Sequence, residues 1–298
     1  MRNLCPACGE KFLIKYFSEY KGIFMGIQSL LICNNCELIF AKDIPPQDQI
    51  DKFYNDQQYY GDQTKIKPTE RSFYNFSLKV SESRISLIAK HIDLSKNSFR
   101  CLDIGTGNGA FVESINKYSN IEVDLIEPDK RAINLLNSNY GSHFYSLDEI
   151  LDKKYDLIVV NQVLEHVSEP ITFVKKITNL LKNDGYLYID TPFRDCEFKD
   201  DLSPHVLFWN INSMKRFFDS HGFNTVFIDS AGLQIPDAKL YFRKLTIYQK
   251  LISLNYLKSY LGRKFFKHNF LAKKIDENLY KYGGKRVWIR GIFKKSNA

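Results

Sequence analysis

The stretch from Phe99 to Val112, FRCLDIGTGNGAFV, limits the fold of this chain more than any other. A short apolar run (Cys101, Leu102, Ile104) carries one acidic residue, Asp103, near its end. Three glycines on alternate positions follow, Gly105, Gly107 and Gly109, and then an apolar pattern at Phe111, Val112 and Ile115. This predicts a strand, a tight turn and the start of a helix. Glycine suits the turn because the backbone must bend sharply and come close to a ligand, which a Cβ would obstruct. The first N–H groups of the helix have no intrahelical acceptor and can face that ligand. Gly105, Gly107 and Ala110 also satisfy the G-x-G-x-x-G/A pattern of dinucleotide sites, so a nucleotide-like cofactor is implied but not identified.

The amino-terminal region carries a second constraint. Four of the six cysteines fall in the first 36 residues, as the pairs Cys5–Cys8 and Cys33–Cys36. Two C-x2-C knuckles at this separation suit tetrahedral zinc better than a disulfide or redox role. A closed four-thiolate site has no open position, so the expected Zn2+ is structural. Strands are expected from Phe12 to Tyr20 and from Ile23 to Ile32. The start of the chain has no apolar signal-peptide core, and no apolar run approaches the ~20 residues that span a bilayer, so a cytoplasmic protein is expected.

The composition then shifts to Pro, Gln, Asp and Tyr, and beyond it strands and helices alternate. The reading is a zinc ribbon over 1–45, a linker with an aromatic-rich loop over 46–78, and an α/β domain over 79–298. Helices are expected from Phe73 to Ile92, after Asp129, after a Ser168 cap through Leu181, and from Asn212. Strands are expected at Glu122–Ile126, His143–Tyr145, Tyr155–Val160, Tyr186–Asp190, Thr225–Ile228 and Val287–Phe293. Such alternation implies a doubly wound, Rossmann-like parallel sheet that binds its ligand at the carboxyl ends of the strands. Glu127, ending the second strand about 20 residues past the glycines, is placed for ribose hydroxyls. Asp103 argues against a pyrophosphate, which its carboxylate would repel, and for an ammonium group.

Four ordered segments, LDIGTGNGAFV, IEPD, YDLIVVNQVLEHVSEP and LLKNDGYLYIDTP, resemble the class I S-adenosylmethionine (SAM)-dependent methyltransferases. The resemblance implies SAM as cofactor and a seven-stranded sheet whose last strand is antiparallel. It implies Asp103, Gly105, Thr106 and Gly107 on the methionine side, and Glu127 with Pro128 at the ribose. Asn161 and Gln162 would lie under the sulfonium side, and Ser146 and Leu147 near adenine. With the cysteine module, the chain is similar to the zinc-binding sugar methyltransferases of polysaccharide and deoxysugar pathways. In those a second histidine of a His-Glu-His segment acts as base; here His205 is retained, but Pro204 stands where the polarising Glu is expected. That favours O-methylation over C-methylation, with Tyr59 as a phenol beside the acceptor. His166, in Gln162-Val163-Leu164-Glu165-His166, matches a divalent-ion run of some ubiquinone-pathway O-methyltransferases, with one carboxylate replaced by an amide.

Charge is uneven. Residues 233–298 hold 16 Lys+Arg against 3 Asp+Glu, and residues 1–232 hold 26 against 31. Within the basic insertion, 233–284, Leu240, Ile247, Leu251 and Leu254 fall in one sector of roughly 60° on an ideal helix, edged by cations. Peripheral membrane docking and a phosphate-bearing surface are both expected uses, beside packing on the domain or on a twin subunit in a homodimer. The acceptor expected is a small molecule, a sugar or a nucleotide- or lipid-linked sugar. Nucleic acid is not expected: an RNA methyltransferase would use the ribbon and basic segment as grips, but the short Pro-aromatic motif of base N-methylating enzymes is missing. A non-catalytic binding protein on the same fold would have no physical need for intact glycines and Glu127.

Overall fold

The computed structural model describes residues 4–20, 26–55, 71–129, 132, 142–150, 153–199, 201–239 and 277–296. A small sheet is formed by β1 (Leu13–Glu19), β2 (Ser29–Cys33), β3 (Ile39–Ala41) and β9 (Leu207–Phe208), in that order. The first three are the amino-terminal ribbon. The fourth comes from far along the chain, pairing antiparallel with β3 at Ile39–Phe208 and Phe40–Leu207.

The large sheet contains β4 (Phe99–Ile104), β5 (Ile121–Ile126), β6 (His143–Phe144), β7 (Tyr155–Asn161), β8 (Leu181–Pro192), β10 (Phe223–Gln234) and β11 (Arg286–Lys295). Its order is β10-β11-β8-β7-β4-β5-β6. β4 to β8 run parallel, while β11 lies antiparallel between β8 and β10. The doubly wound, seven-stranded sheet with an antiparallel last strand is therefore as expected. From β4 the chain passes to β5 and β6 on one side, then returns to β7 and β8 on the other. The switch point lies between β4 and β7, which is where such sheets open a crevice.

Both faces of this sheet are buried, and strand periodicity shows it. Leu102, Ile104, Ile158, Val160, Leu187 and Ile189 point to one core, and Cys101, Leu157, Val159 and Tyr188 to the other. The second core is closed by the helices Arg71–His91 (α2, after α1 at Gln47–Asn55) and Ala110–Ile115 (α3), through Ile85, Ile88, Phe111 and Val112. The first is closed by Pro170–Leu180 (α4) and Ile211–Asp219 (α5). Leu30, Phe40 and Ile50 of the amino-terminal region belong to that same core.

Several boundaries differ from expectation for local reasons. Glu169, not Ser168, precedes α4, whose first residue is Pro170; proline fits there because its missing N–H would be unpaired anyway. Leu181 leaves that helix and begins β8. The helix expected from Asn212 begins one residue earlier, at Ile211, because Asn210 caps it: its Oδ1 accepts the Ser213 N–H at 2.6 Å while Ser213 Oγ accepts the Asn210 N–H at 2.9 Å. The second ribbon strand begins at Ser29 rather than Ile23; residues 21–25 lie outside the described ones. Most of the helix expected after Asp129, and residues 240–276 of the basic insertion, also lie outside them.

Candidate functional site

A cavity of about 250 Å³ opens at the switch point, lined among others by Asp103, Gly105, Thr106, Asn161, Gln162 and Arg84. Three glycines shape the turn at positive φ: Gly105 at 75°, Gly107 at 56° and Gly109 at 77°. Gly105 has no room for a side chain either, since a Cβ would stand 2.3 Å from Val163 Cγ2. The Gly105 and Thr106 N–H groups donate to the Ile126 carbonyl at 2.8 and 3.2 Å, tying the turn to the end of β5.

Inside the cavity, polar atoms lack partners. Neither oxygen of the buried Asp103 carboxylate nor either terminal atom of the Asn161 amide has a hydrogen-bond partner. Burial pushes the Asp103 carboxyl up to about 7, against the opposing pull of Arg84 and of the Thr106 hydroxyl. An unpartnered buried carboxylate costs free energy until something cationic reaches it. The geometry suits an ammonium group at Asp103 and a hydrogen-bonding ligand at Asn161.

A buried charge network supports this cavity. Asp190 Oδ2 accepts from Arg84 Nε at 2.9 Å and from Arg290 Nε at 3.0 Å, and its Oδ1 accepts from Gln162 Nε2 at 2.6 Å. Burial raises the Asp190 carboxyl, but the two guanidinium groups outweigh it and hold it below the ordinary range. Gln162, at φ 54°, is thus locked to Asp190 by side chain and backbone. It stands apart from the expected ion-binding run.

Glu127 lies outside the cavity lining, as do Gly107, Pro128, Ser146 and Leu147. Its Oε2 accepts the Gly107 N–H at 2.7 Å and its Oε1 the Asp129 N–H at 2.9 Å. Burial raises its carboxyl, with these two N–H donors opposing. Each oxygen keeps a second lone pair for a ligand hydroxyl.

Past the Gln162 turn, a second cluster gathers Glu165, His166 and His205, with donor atoms within 4.8 Å of one another. Their rings are edge to face, the His166 and His205 centroids 4.7 Å apart. His205 Nδ1 lies 2.8 Å from Asp195 Oδ2, a close contact rather than an aligned hydrogen bond, and Lys199 Nζ stands 2.7 Å from the same oxygen. Burial raises Asp195, yet Lys199 and His205 outweigh it and hold the carboxyl well below its ordinary value. Burial pushes Glu165 up to about 7 and His166 down, with His205 adding to the fall of His166. His205 therefore has a carboxylate partner after all. The sequence places none at Pro204, and the fold brings Asp195 instead.

In the small sheet the thiols of Cys5, Cys8, Cys33 and Cys36 converge within 4.8 Å. Cys5 and Cys36 sulfurs are 3.6 Å apart, as are those of Cys8 and Cys33. A tetrahedron with metal–sulfur bonds of about 2.3 Å has edges of about 3.8 Å, so the donor set fits a tetrahedral metal. Cys101 and Cys196 are buried and distant in role from this cluster.

Asp103, Gly105, Thr106, Asn161 and Gln162 are thus brought together, and His166 and His205 meet in a separate cluster one turn away. Tyr59 lies outside the described residues. Arg84, Ser81 and Ser77 went unrecognised, although their spacing along α2 puts a polar stripe on one helix face. Asp195 left no signal of any kind in the sequence. Among the described residues no helix is long and apolar enough to cross a membrane.

A family model for a methyltransferase domain matches residues 75–236. An uncharacterised protein of Methanocaldococcus jannaschii is 26% identical over 156 residues, which is 52% of this chain and 68% of that one. The ubiquinone biosynthesis O-methyltransferase of Coxiella burnetii is 30% identical over 126 residues, or 38% of this chain. The match spans about half (48%) of that relative's length. A SAM-dependent methyltransferase of Thermotoga maritima has the same fold, with a TM-score of 0.51 at 15% identity over 83% of this chain and 98% of that one.

Proposed function

The chain belongs to the methyltransferase-domain family, and we propose that it methylates a hydroxyl of a saccharide-type or related small polar acceptor. SAM-dependent methyl transfer to a small molecule is its activity; the acceptor class, the methylated atom, the zinc and the residue roles are our reading.

One observation carries that reading: the cavity pairs a turn of glycines with an unpartnered Asp103 carboxylate and an unpartnered Asn161 amide. SAM bound there supplies an electrophilic methyl group on a sulfonium. Asp103 accepts the ammonium end of the ligand, and Arg84, oriented by Asp190, meets its carboxylate. Glu127 uses its remaining lone pairs on the ribose hydroxyls, while Gly107 and Pro128 set the path of the turn around it. Ser146 and Leu147 are assigned to the adenine side. On the acceptor side His205 takes the hydroxyl proton, with Asp195 holding its ring and stabilising the charge it gains. His166, kept neutral by burial, shapes that floor. Alignment of the two reactants supplies much of the rate.

With Asp195 in place, base strength alone no longer separates O- from C-methylation. Oxygen is preferred because a hydroxyl asks less of its base than a carbon acid does, and the O-methyltransferase relative points the same way. Zn2+ at the four thiolates is assigned a structural role. Calorimetric titration with SAM, S-adenosylhomocysteine and NAD tests the cofactor: both sulfur compounds should bind and NAD should not. Binding of NAD alone overturns the reading.

A further inference from the structure

We propose that Glu37, immediately after the second cysteine knuckle, is a positioning residue that latches shut the loop holding Asp195 and His205. Metal at the four cysteines would then set the acceptor half of the site without touching the cofactor half. The proposal rests on the reading of His205 as proton acceptor.

The two knuckles turn in the same way and end differently. After Cys8, Gly9 sits at φ 72° and its N–H donates to the Cys5 carbonyl at 2.9 Å. After Cys36, Glu37 sits at φ 64° and its N–H donates to the Cys33 carbonyl at 2.9 Å. Glycine adopts that backbone freely, whereas a residue with a Cβ is strained there. The second knuckle carries the strained residue, and its side chain is engaged. Glu37 Oε2 accepts from Asn210 Nδ2 at 3.2 Å and Oε1 from Asn212 Nδ2 at 3.0 Å. Its carbonyl accepts from Arg194 Nη2 at 2.9 Å. A strained residue kept in place by such contacts points to a task that glycine cannot perform.

Those partners are the two ends of one loop. The Arg194 N–H donates to the Trp209 carbonyl at 2.9 Å, closing the segment 194–209, and inside it lie Asp195 and His205. Glu37 therefore gathers both ends of the loop from outside. The knuckle adds a further tie through Asn35, whose carbonyl accepts from Arg216 Nη1 at 2.6 Å. Next to His205, the Val206 carbonyl accepts the Ala41 N–H of β3 and the Val206 N–H donates to the Glu165 carbonyl, both at 2.9 Å. The residue following His205 is thus strung between the cysteine module and the Glu165 turn. The cavity at Asp103 takes no lining residue from the module. Glu37 is half exposed, so its 3.9 Å ion pair with Arg194 is screened, and the hydrogen bonds do the holding.

Glu37→Gly tests this in the full metal-loaded chain, since it relieves the backbone while deleting the latch. Hydrogen exchange read by mass spectrometry should rise about ten-fold over 194–212 and stay unchanged over 99–112. Metal content and SAM affinity should stay within two-fold of the parent, and Glu37→Gln, which keeps an acceptor oxygen, should recover most of the protection. Stripping the metal with a chelator should loosen 194–212 further, again sparing SAM binding. Unchanged exchange over 194–212 in Glu37→Gly with metal retained overturns the latch. Loosening that spreads to 99–112, or lost SAM affinity, overturns the separation of the halves. A parent chain that holds no metal at the cysteines removes the metal from the account, while a parent that binds no SAM defeats the functional reading but not the exchange result.

Discussion

At the ends of β4 and β7, both Asp103 oxygens and both terminal atoms of the Asn161 amide lack a hydrogen-bond partner; one turn further on, Glu165 keeps one oxygen on Thr191 and Asp195 faces Lys199 and His205, although Glu165 Oε1, Asp195 Oδ2 and His205 Nδ1 make no aligned hydrogen bond. The first arrangement is incomplete without a ligand of opposite polarity. The second is partly satisfied within the protein, since Asp195 faces Lys199 and His205 before any ligand arrives. On the proposed reading the difference separates cofactor recognition from proton handling: the first cluster awaits a ligand, while the second sets a carboxylate against an imidazole.

The largest loss is expected at the charge network beneath the cavity. Arg290→Met leaves Asp190 with Arg84 as its one remaining guanidinium and should cost about 3–5 kcal/mol, read as a lower urea midpoint. Gly105→Ala forces a Cβ at positive φ into Val163, and at about 1–3 kcal/mol of strain should weaken SAM binding by ten-fold or more. Asp103→Asn should act in two directions. The protonated carboxyl contributes stability below about pH 4 that is lost as pH rises through about 7. The amide has no such loss, so above pH 7 the free protein should gain about 1–2 kcal/mol in denaturant titrations. SAM affinity should meanwhile fall and lose its rise with pH.

Asp195→Asn should have the smallest effect on the cofactor. Its depressed carboxyl contributes stability above its ordinary value that is lost as pH falls, so the variant should be less stable at pH 7 and nearly level with the parent in acid. SAM affinity should be unchanged, and the acidic limb of the pH profile for transfer should shift.

The neighbourhood of the glycine turn is legible because its parts lie close in sequence. Asp103, the glycines, Glu127 and Asn161 fall within one run of alternating strands and helices, so periodicity and turn chemistry place them together. The cluster at His205 depends on pairings that no local pattern encodes. Asp195 reaches His205 through a loop closed by Arg194 and Trp209, and Glu37 meets Asn210 from 173 residues away. Pro204 leaves His205 without a neighbouring carboxylate in sequence, and the fold brings Asp195 to it from ten residues earlier. β9 was missed for a similar reason: two residues are too few for a period, and its pairing with β3 is purely tertiary.

The claim that the site is two separately built halves is tested most directly by titrating SAM into His205→Ala and Asp103→Asn side by side. His205→Ala should bind SAM within two-fold of the parent, whereas Asp103→Asn should bind at least ten-fold more weakly, the loss of about one charge-assisted contact. Equal weakening in both variants, or full affinity in Asp103→Asn, would contradict it.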